Sequence, residues 1–134
     1  PASDARTLVR MKSQGRRDTA PELAVRKALR DLGHRYTLKN SDLPGSPDVA
    51  NRHRHWAVFV HGCYWHQHPG CPRATIPKAN REWWLDKFNR NRERDVRAIR
   101  ALRDQGFDVE VIWECETRDC IALGERLHRF LPTR

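Results

Sequence analysis

The sequence predicts one α/β domain built on a mixed sheet with helices on both faces. Three observations carry that expectation. The 134 residues fit a single domain and suffice for one core. Trp56-Ala57-Val58-Phe59-Val60 is an apolar run of strand length, as expected of a strand covered on both sides. Helical and extended patterns follow in the order helix, three strands, helix, strand, helix. A three-strand meander followed by a crossover helix makes a mixed sheet.

Residues 1–17 read as a basic arm, with Arg6, Arg10, Lys12, Arg16 and Arg17 around Leu8, Val9 and Met11. The domain proper is expected over 18–134. Thr19-Ala20-Pro21-Glu22 opens a helix at about 20–32. Thr19 can cap it, Pro21 suits the first turn, and Glu22 stands where a capping box needs it. Leu23, Val25, Leu29 and Leu32 give that helix an apolar face, and Gly33 stops it. His34 to Leu38 is a weak strand, and Ser41 to Ser46 is turn chemistry. Pro47 to Ala50 is a second strand, joined through the polar turn Asn51 to His55 to the apolar run at 56–60. A loop rich in Gly, Pro, His and Cys covers about 61–78. The long helix at about 80–105 places Leu85, Phe88, Val96, Ile99 and Leu102 near one stripe, with Gly106 just beyond its end. Phe107 to Trp113 is the last strand, and 119–130 a closing helix with Leu123, Leu127 and Phe130. No repeat, low-complexity tract or linker divides the chain.

Lys and Arg number 26 against 17 Asp and Glu, giving a net charge of +9 and a pI near 10.1. So basic a chain calls for a polyanion. Nucleic acid comes first, because each phosphate contact releases counterions, and an anionic membrane surface is the rival. No apolar run approaches the roughly 20 residues of a membrane span, and no signal-peptide pattern opens the chain. Cys63, Cys71, Cys115 and Cys120 all lie beyond residue 62, two of them among histidines. Such placement suits metal binding in a reducing, cytoplasmic setting better than a disulfide framework.

Cys63-x4-His68-x2-Cys71 is the densest group of soft ligands. Zn²⁺ wants four such donors in a tetrahedron, so a fourth must come from elsewhere: Cys115 first, Cys120 second. A four-ligand site is closed, hence structural. Asp48 and His61 flank the expected hairpin. If Asn51 pairs with Trp56, Asp48 falls opposite Phe59, and a slip of one or two residues brings it to Val60 or His61. One carboxylate and one imidazole then meet at its open end, with His66 five residues on. A hard carboxylate favours Mg²⁺, and neutral imidazoles can move protons near pH 7. Asp48 can equally bond its own turn, and Glu22 can serve only as the capping partner of Thr19. Asp95 shares the inward stripe of the long helix, where a carboxylate needs a partner. It can hold an imidazole in one tautomer or pair with Arg92 or Arg94. Tyr64, Trp65 and Trp84 sit in or beside the His/Cys loop, able to stack on bases or to pack in the core. The eight Lys and Arg from Arg81 to Arg103 suit phosphate contacts or a solvated helix face.

Several of these motifs resemble the very short patch repair (Vsr) endonucleases. They are Asp18-Thr19-Ala20-x-Glu22, Pro47-Asp48, Phe59-Val60-His61-Gly62-Cys63-Tyr64-Trp65-His66, Trp84-Leu85 with Asn91-x-Glu93-Arg94-Asp95, and Trp113-Glu114-Cys115. The likeness covers roughly residues 6–130. It implies a restriction-endonuclease-like core, a variant of the PD-(D/E)xK fold, in a bacterial, cytoplasmic enzyme that nicks one strand of duplex DNA at T:G mismatches. It implies Mg²⁺ for catalysis and Zn²⁺ for structure. By motif, Asp48 and the carbonyl of Val60 would hold Mg²⁺, and His66 would activate water. His61 would act near the scissile phosphate, with Asp95 supporting a histidine and Glu22 at the site. Cys63, His68, Cys71 and Cys115 would bind Zn²⁺. Tyr64, Trp65 and Trp84 would wedge beside the mismatch, with Met11 entering from the other groove. Mismatched duplex DNA is the expected partner of a monomer working alongside mismatch-repair proteins. The chain departs from the family pattern at Val60, where Thr is usual, and in a Cys/His loop one residue longer. The alternatives are a non-catalytic zinc-stabilised DNA-binding module, a nickase of relaxed mismatch specificity, and a zinc hydrolase with an open site.

Overall fold

A computed structural model of the chain describes residues 18–131. The arm at 1–17, Met11 within it, and residues 132–134 lie outside the described residues. Helix α1 (Ala20–Asp31) begins where its sequence dictates. Thr19 Oγ1 accepts the Glu22 N–H at 3.4 Å, and the Glu22 carboxylate takes the Asp18 N–H at 3.0 Å, one residue ahead of the expected box partner. Gly33, at φ +82°, ends it in the left-handed conformation a glycine adopts without penalty. Val25, Ala28 and Leu29 are buried, whereas Leu23, expected inside, is half exposed.

Strands β1 (Val49–Asn51) and β2 (Trp56–His61) form the hairpin, with Asn51 opposite Trp56 as the spacing predicts. Helix α2 (Arg81–Asp104) crosses over, and β3 (Asp108–Trp113) returns parallel to β2. The sheet is mixed and three-stranded, in the order β1-β2-β3. The strand expected at 34–38 does not form. Only Thr37 bridges to Ala50. Side-chain amides replace the ladder there: Asn40 donates to the carbonyls of Thr37 and Pro47, and Asn51 to that of Arg35. A 3₁₀ turn (Glu114–Thr117) leads to α3 (Cys120–Phe130), capped by Asp119.

Both faces of the sheet are covered. Val25 and Leu29 of α1 and Leu123 and Leu127 of α3 pack on Trp56, Val58 and Ile112. On the other face Ala98 and Leu102 of α2 meet Ala57, Phe59 and Val109. The inward stripe of α2 differs from the expected one. Val96 is half exposed, and the row that turns inward is Trp84, Phe88, Asn91, Asp95, Ala98 and Leu102. Its spacing of three and four residues is helical, but three of its six residues, Trp84, Asn91 and Asp95, are only partly buried and face the loop rather than the core. No helix among the described residues is long and apolar enough to cross a membrane.

Candidate active site and metal centre

The hairpin register carries Asp48 past the end of β1 and beside β2. Its Oδ2 accepts the Val60 N–H at 2.6 Å. Burial pushes the Asp48 carboxyl up to about 6, helped by the nearby Glu22 charge and opposed by the Val60 N–H, His66 and Arg26. Glu22 is thus near enough for its charge to act on Asp48, while its own oxygen is engaged by Arg26 at 3.3 Å.

Three elements bring a second group together: His61 from the end of β2, His66 from the following loop and Asp95 from α2. Asp95 Oδ2 lies 2.6 Å from His66 Nδ1, while its Oδ1 is 4.0 Å from His61 Nε2. Of the two roles open to Asp95, it takes the one of orienting an imidazole, and neither Arg92 nor Arg94 pairs with it among the described residues. With Nδ1–H donated to the carboxylate, His66 presents the lone pair of Nε2. The rings of His61 and His66 stack with centroids 3.8 Å apart and planes within 5°. Burial, then the neighbouring His66 charge, drives the His61 imidazole down to about 4 against the pull of Asp95, so it is neutral near pH 7. Such stacking decides what these side chains can do. Ligand lone pairs lie in the ring plane, so two parallel stacked imidazoles cannot both aim at one ion about 2 Å from each. The three side chains are thus a stacked, hydrogen-bonded group whose two rings do not converge on one ion.

A separate cluster gathers Cys63, His68, Cys71 and Cys115, with one ligand atom from each within 4.8 Å of the others. His68 Nδ1 is 3.8 Å from the Cys63 thiol and 3.5 Å from that of Cys115. Tetrahedral bonds of about 2.3 Å to sulfur and 2.1 Å to nitrogen imply edges of roughly 3.5–3.8 Å, which these distances match. Burial, with the adjoining thiols, raises the Cys63 thiol to about 12 against the Cys115 N–H. Cys120 is exposed at the start of α3 and has no part in the cluster. The loop is folded as consecutive tight turns: His66 N–H to the Gly62 carbonyl, His68 to Cys63, Cys71 to His68. Buried Gln67, at φ +49°, ties it across to Tyr64 and Thr75.

Two residues with no role expected from sequence couple these parts. Trp113 stacks on His68 at 4.3 Å and presents an edge contact to His61 at 5.2 Å, forming the wall between the two clusters. Its position two residues before Cys115 was the only signal. Asn91 donates to the Trp65 carbonyl at 3.4 Å, fastening the loop to α2.

The family profile described as DNA mismatch endonuclease Vsr matches residues 3–72. The type II nicking enzyme V.XorIIP of Xanthomonas oryzae is 44% identical, over 86% of this chain and 84% of its own length. The type II nicking enzyme V.NmeAIP of Neisseria meningitidis is 38% identical, over 94% and 89%. The DNA mismatch endonuclease Vsr of Escherichia coli is 36% identical, over 90% and 80%. The chain belongs to the Vsr family. It is a DNA endonuclease, and the small mixed sheet flanked by helices is its restriction-endonuclease-like core. Beside the Vsr core stands the aromatic group read from the sequence. Tyr64 meets Trp65 edge-on at 5.4 Å and Phe88 at 5.3 Å, and Trp84 lies 6.4 Å from both Tyr64 and Trp65. All three are half-buried, and the neighbouring Trp83 is half exposed. Of the two places open to Trp84, stacking beside the loop or packing in the core, it takes a half-buried one beside the loop.

Proposed function

We propose that this chain is a Mg²⁺-dependent nicking endonuclease that cuts one strand of duplex DNA at T:G mismatches, in the manner of very short patch repair. Zn²⁺ is its structural ion, held by Cys63, His68, Cys71 and Cys115. The observation that carries the reading is a buried carboxylate beside an oriented imidazole: Asp48 against the Val60 peptide, and His66 fixed by Asp95. Asp48 suits Mg²⁺. It is a hard, buried ligand whose one close hydrogen bond leaves its charge poorly compensated, and a cation would reverse that. The Val60 carbonyl would be its companion. Mg²⁺, when bound, supplies Lewis-acid stabilisation of the charge that develops on the phosphate.

The chain's own residues do the rest. His66 Nε2 takes a proton from the attacking water, and Asp95 stabilises the resulting imidazolium through Nδ1–H. A new oxygen–phosphorus bond forms as the bond to the 3′ oxygen breaks, and that oxygen takes a proton from solvent, leaving a 5′-phosphate and a 3′-hydroxyl. His61, neutral and stacked on His66, serves beside the scissile phosphate. Glu22 holds its place at the site through Arg26. Tyr64, Trp65 and Trp84 offer faces and edges for stacking at the mismatch, with Met11 of the arm as a second wedge.

The test is a nicking panel of duplexes bearing every mismatch and matched controls, at stated salt, with and without Mg²⁺. Asp48→Ala and His66→Ala should lose nicking by about 10²-fold or more while binding DNA as before. Normal nicking by Asp48→Ala would overturn the mechanism. Absence of any nicking by the unaltered chain with Mg²⁺ would favour a zinc-stabilised binding module. Equal cutting of all mismatches would favour relaxed specificity.

A further inference from the structure

The β1–β2 turn, the segment after α1 and the end of α3 enclose a cavity of about 710 Å³. It lies at the other end of β2 from the catalytic group. Trp56 lines it and His61 does not, and five residues at about 3.3 Å each separate the two by roughly 17 Å. Its walls carry His34, Arg35, Arg52, His53, Arg54 and His128, with Tyr36 beside them and no acidic residue. Arg52 is held by Asp42 at 2.5 Å, and among the described residues no ion pair reaches any of the other five basic side chains. They act on one another: burial, then the charges of Arg54 and His128, hold the His34 imidazole below its ordinary range. Trp56 is fully buried, and its indole N–H meets no acceptor among the described residues.

Like charges gathered around one concavity repel. An anion with several acceptor oxygens relieves that repulsion. The volume falls within the roughly 300–1,000 Å³ of small-ligand sites, which leaves room for more than a bare oxyanion. We propose that this cavity is a second anion site, distinct from the cutting site, that takes a phosphate group. That phosphate can be the monoester of a free nucleotide or a backbone diester of DNA, which offer the same oxygens. The inference stands on the cavity alone and does not depend on the nuclease mechanism.

The experiment follows backbone and indole N–H resonances of the full chain as inorganic phosphate is added at constant ionic strength. The expected result is a saturable shift shared by the Trp56 indole N–H and the amides of His34 and Arg54. It should weaken about tenfold or more in Arg35→Ser/Arg54→Ser, the equivalent of one charge-assisted hydrogen bond removed. It should persist in Asp48→Asn, which separates this site from the catalytic one. Both arginines are exposed, and an otherwise unchanged spectrum confirms the fold of the double variant. Two further arms identify the source. If a nucleoside 5′-monophosphate gives the same shifts and matched duplex affinity is unchanged by the double variant, the ligand is a free nucleotide. If the variant lowers the salt slope of duplex binding by about 1–2, the ligand is a DNA phosphate. A shift that never saturates, that chloride reproduces, or that the double variant leaves intact would overturn the proposal.

Discussion

Burial acts in opposite senses on Asp48 and His61, because it disfavours whichever form is charged. Asp48 rises from 3.8 to about 6, so the native state holds its proton more tightly than the unfolded chain does. Its contribution to stability is complete below about pH 4 and is lost as pH rises to about 6. His61 falls from 6.5 to about 4, so its contribution is complete above about pH 6.5 and is lost as pH falls to 4. Each shift is worth about 3 kcal/mol at roughly 1.4 kcal/mol per unit, so between pH 4 and 6 the two slopes nearly cancel. Removing one partner should expose the other. In urea titrations without added divalent cation, His61→Asn should lose stability by about 2–3 kcal/mol as pH rises from about 4 to 6, and Asp48→Asn should gain as much. Slopes of the same sign in both variants would contradict the assignment of burial as the cause.

The elements place these side chains, and two substitutions probe that placement. If the four soft ligands after β2 share a zinc ion as proposed, Cys115→Ser should lose bound zinc and lower the melting temperature, while Cys120→Ser keeps both. Metal content and calorimetry on the two proteins decide it. Gly45 sits in the turn leading to Asp48 with φ +72°, and a Cβ there would stand 2.5 Å from Ala98 Cβ and 3.1 Å from the Phe59 ring. Gly45→Ala therefore combines backbone strain with a clash against α2 and β2, and should cost about 2 kcal/mol or more in chemical unfolding. The ends of these elements were legible in the sequence because caps and glycines are local signals: Thr19, Gly33 and Gly106 act as expected. The hairpin register was legible because Asn51 and Trp56 bound one short turn. The inward row of α2 was not. Trp84, Asn91 and Asp95 occupy it for the sake of the site, so a hydrophobic pattern alone points to Val96 instead. The strand at 34–38 failed for a related reason, since Asn40 and Asn51 satisfy backbone carbonyls that a ladder would have used. Trp113 was marked only by its place beside Cys115, because its position between the clusters arises only when β3 lies alongside β2.

At the scale of the whole molecule, whose net charge is +9, unpaired cations and the aromatic group lie on different parts. One side of α2 carries the aromatic row and Asp95 toward the loop. Elsewhere on its surface Arg94, Arg97 and Arg100 are exposed and make no ion pair among the described residues, whereas Arg90 is held by Asp86 at 2.9 Å. Cations without a protein partner are free to displace counterions from phosphates, an interaction that carries no sequence information. Stacking faces, by contrast, meet bases and add little to the salt dependence. The two sets should therefore separate in one experiment, duplex binding measured across a range of salt for mismatched and matched DNA. Arg94→Ser/Arg97→Ser should reduce the slope of log K against log salt by about 0.9 for each phosphate no longer neutralised, with the ratio of mismatched to matched affinity unchanged. Trp65→Ala should leave that slope alone and lower the ratio, at a cost of about 1–3 kcal/mol for removing a stacking face. If the arginine variant changes the ratio and the tryptophan variant the slope, the division of labour between helix surface and loop is the reverse of the one argued from their geometry.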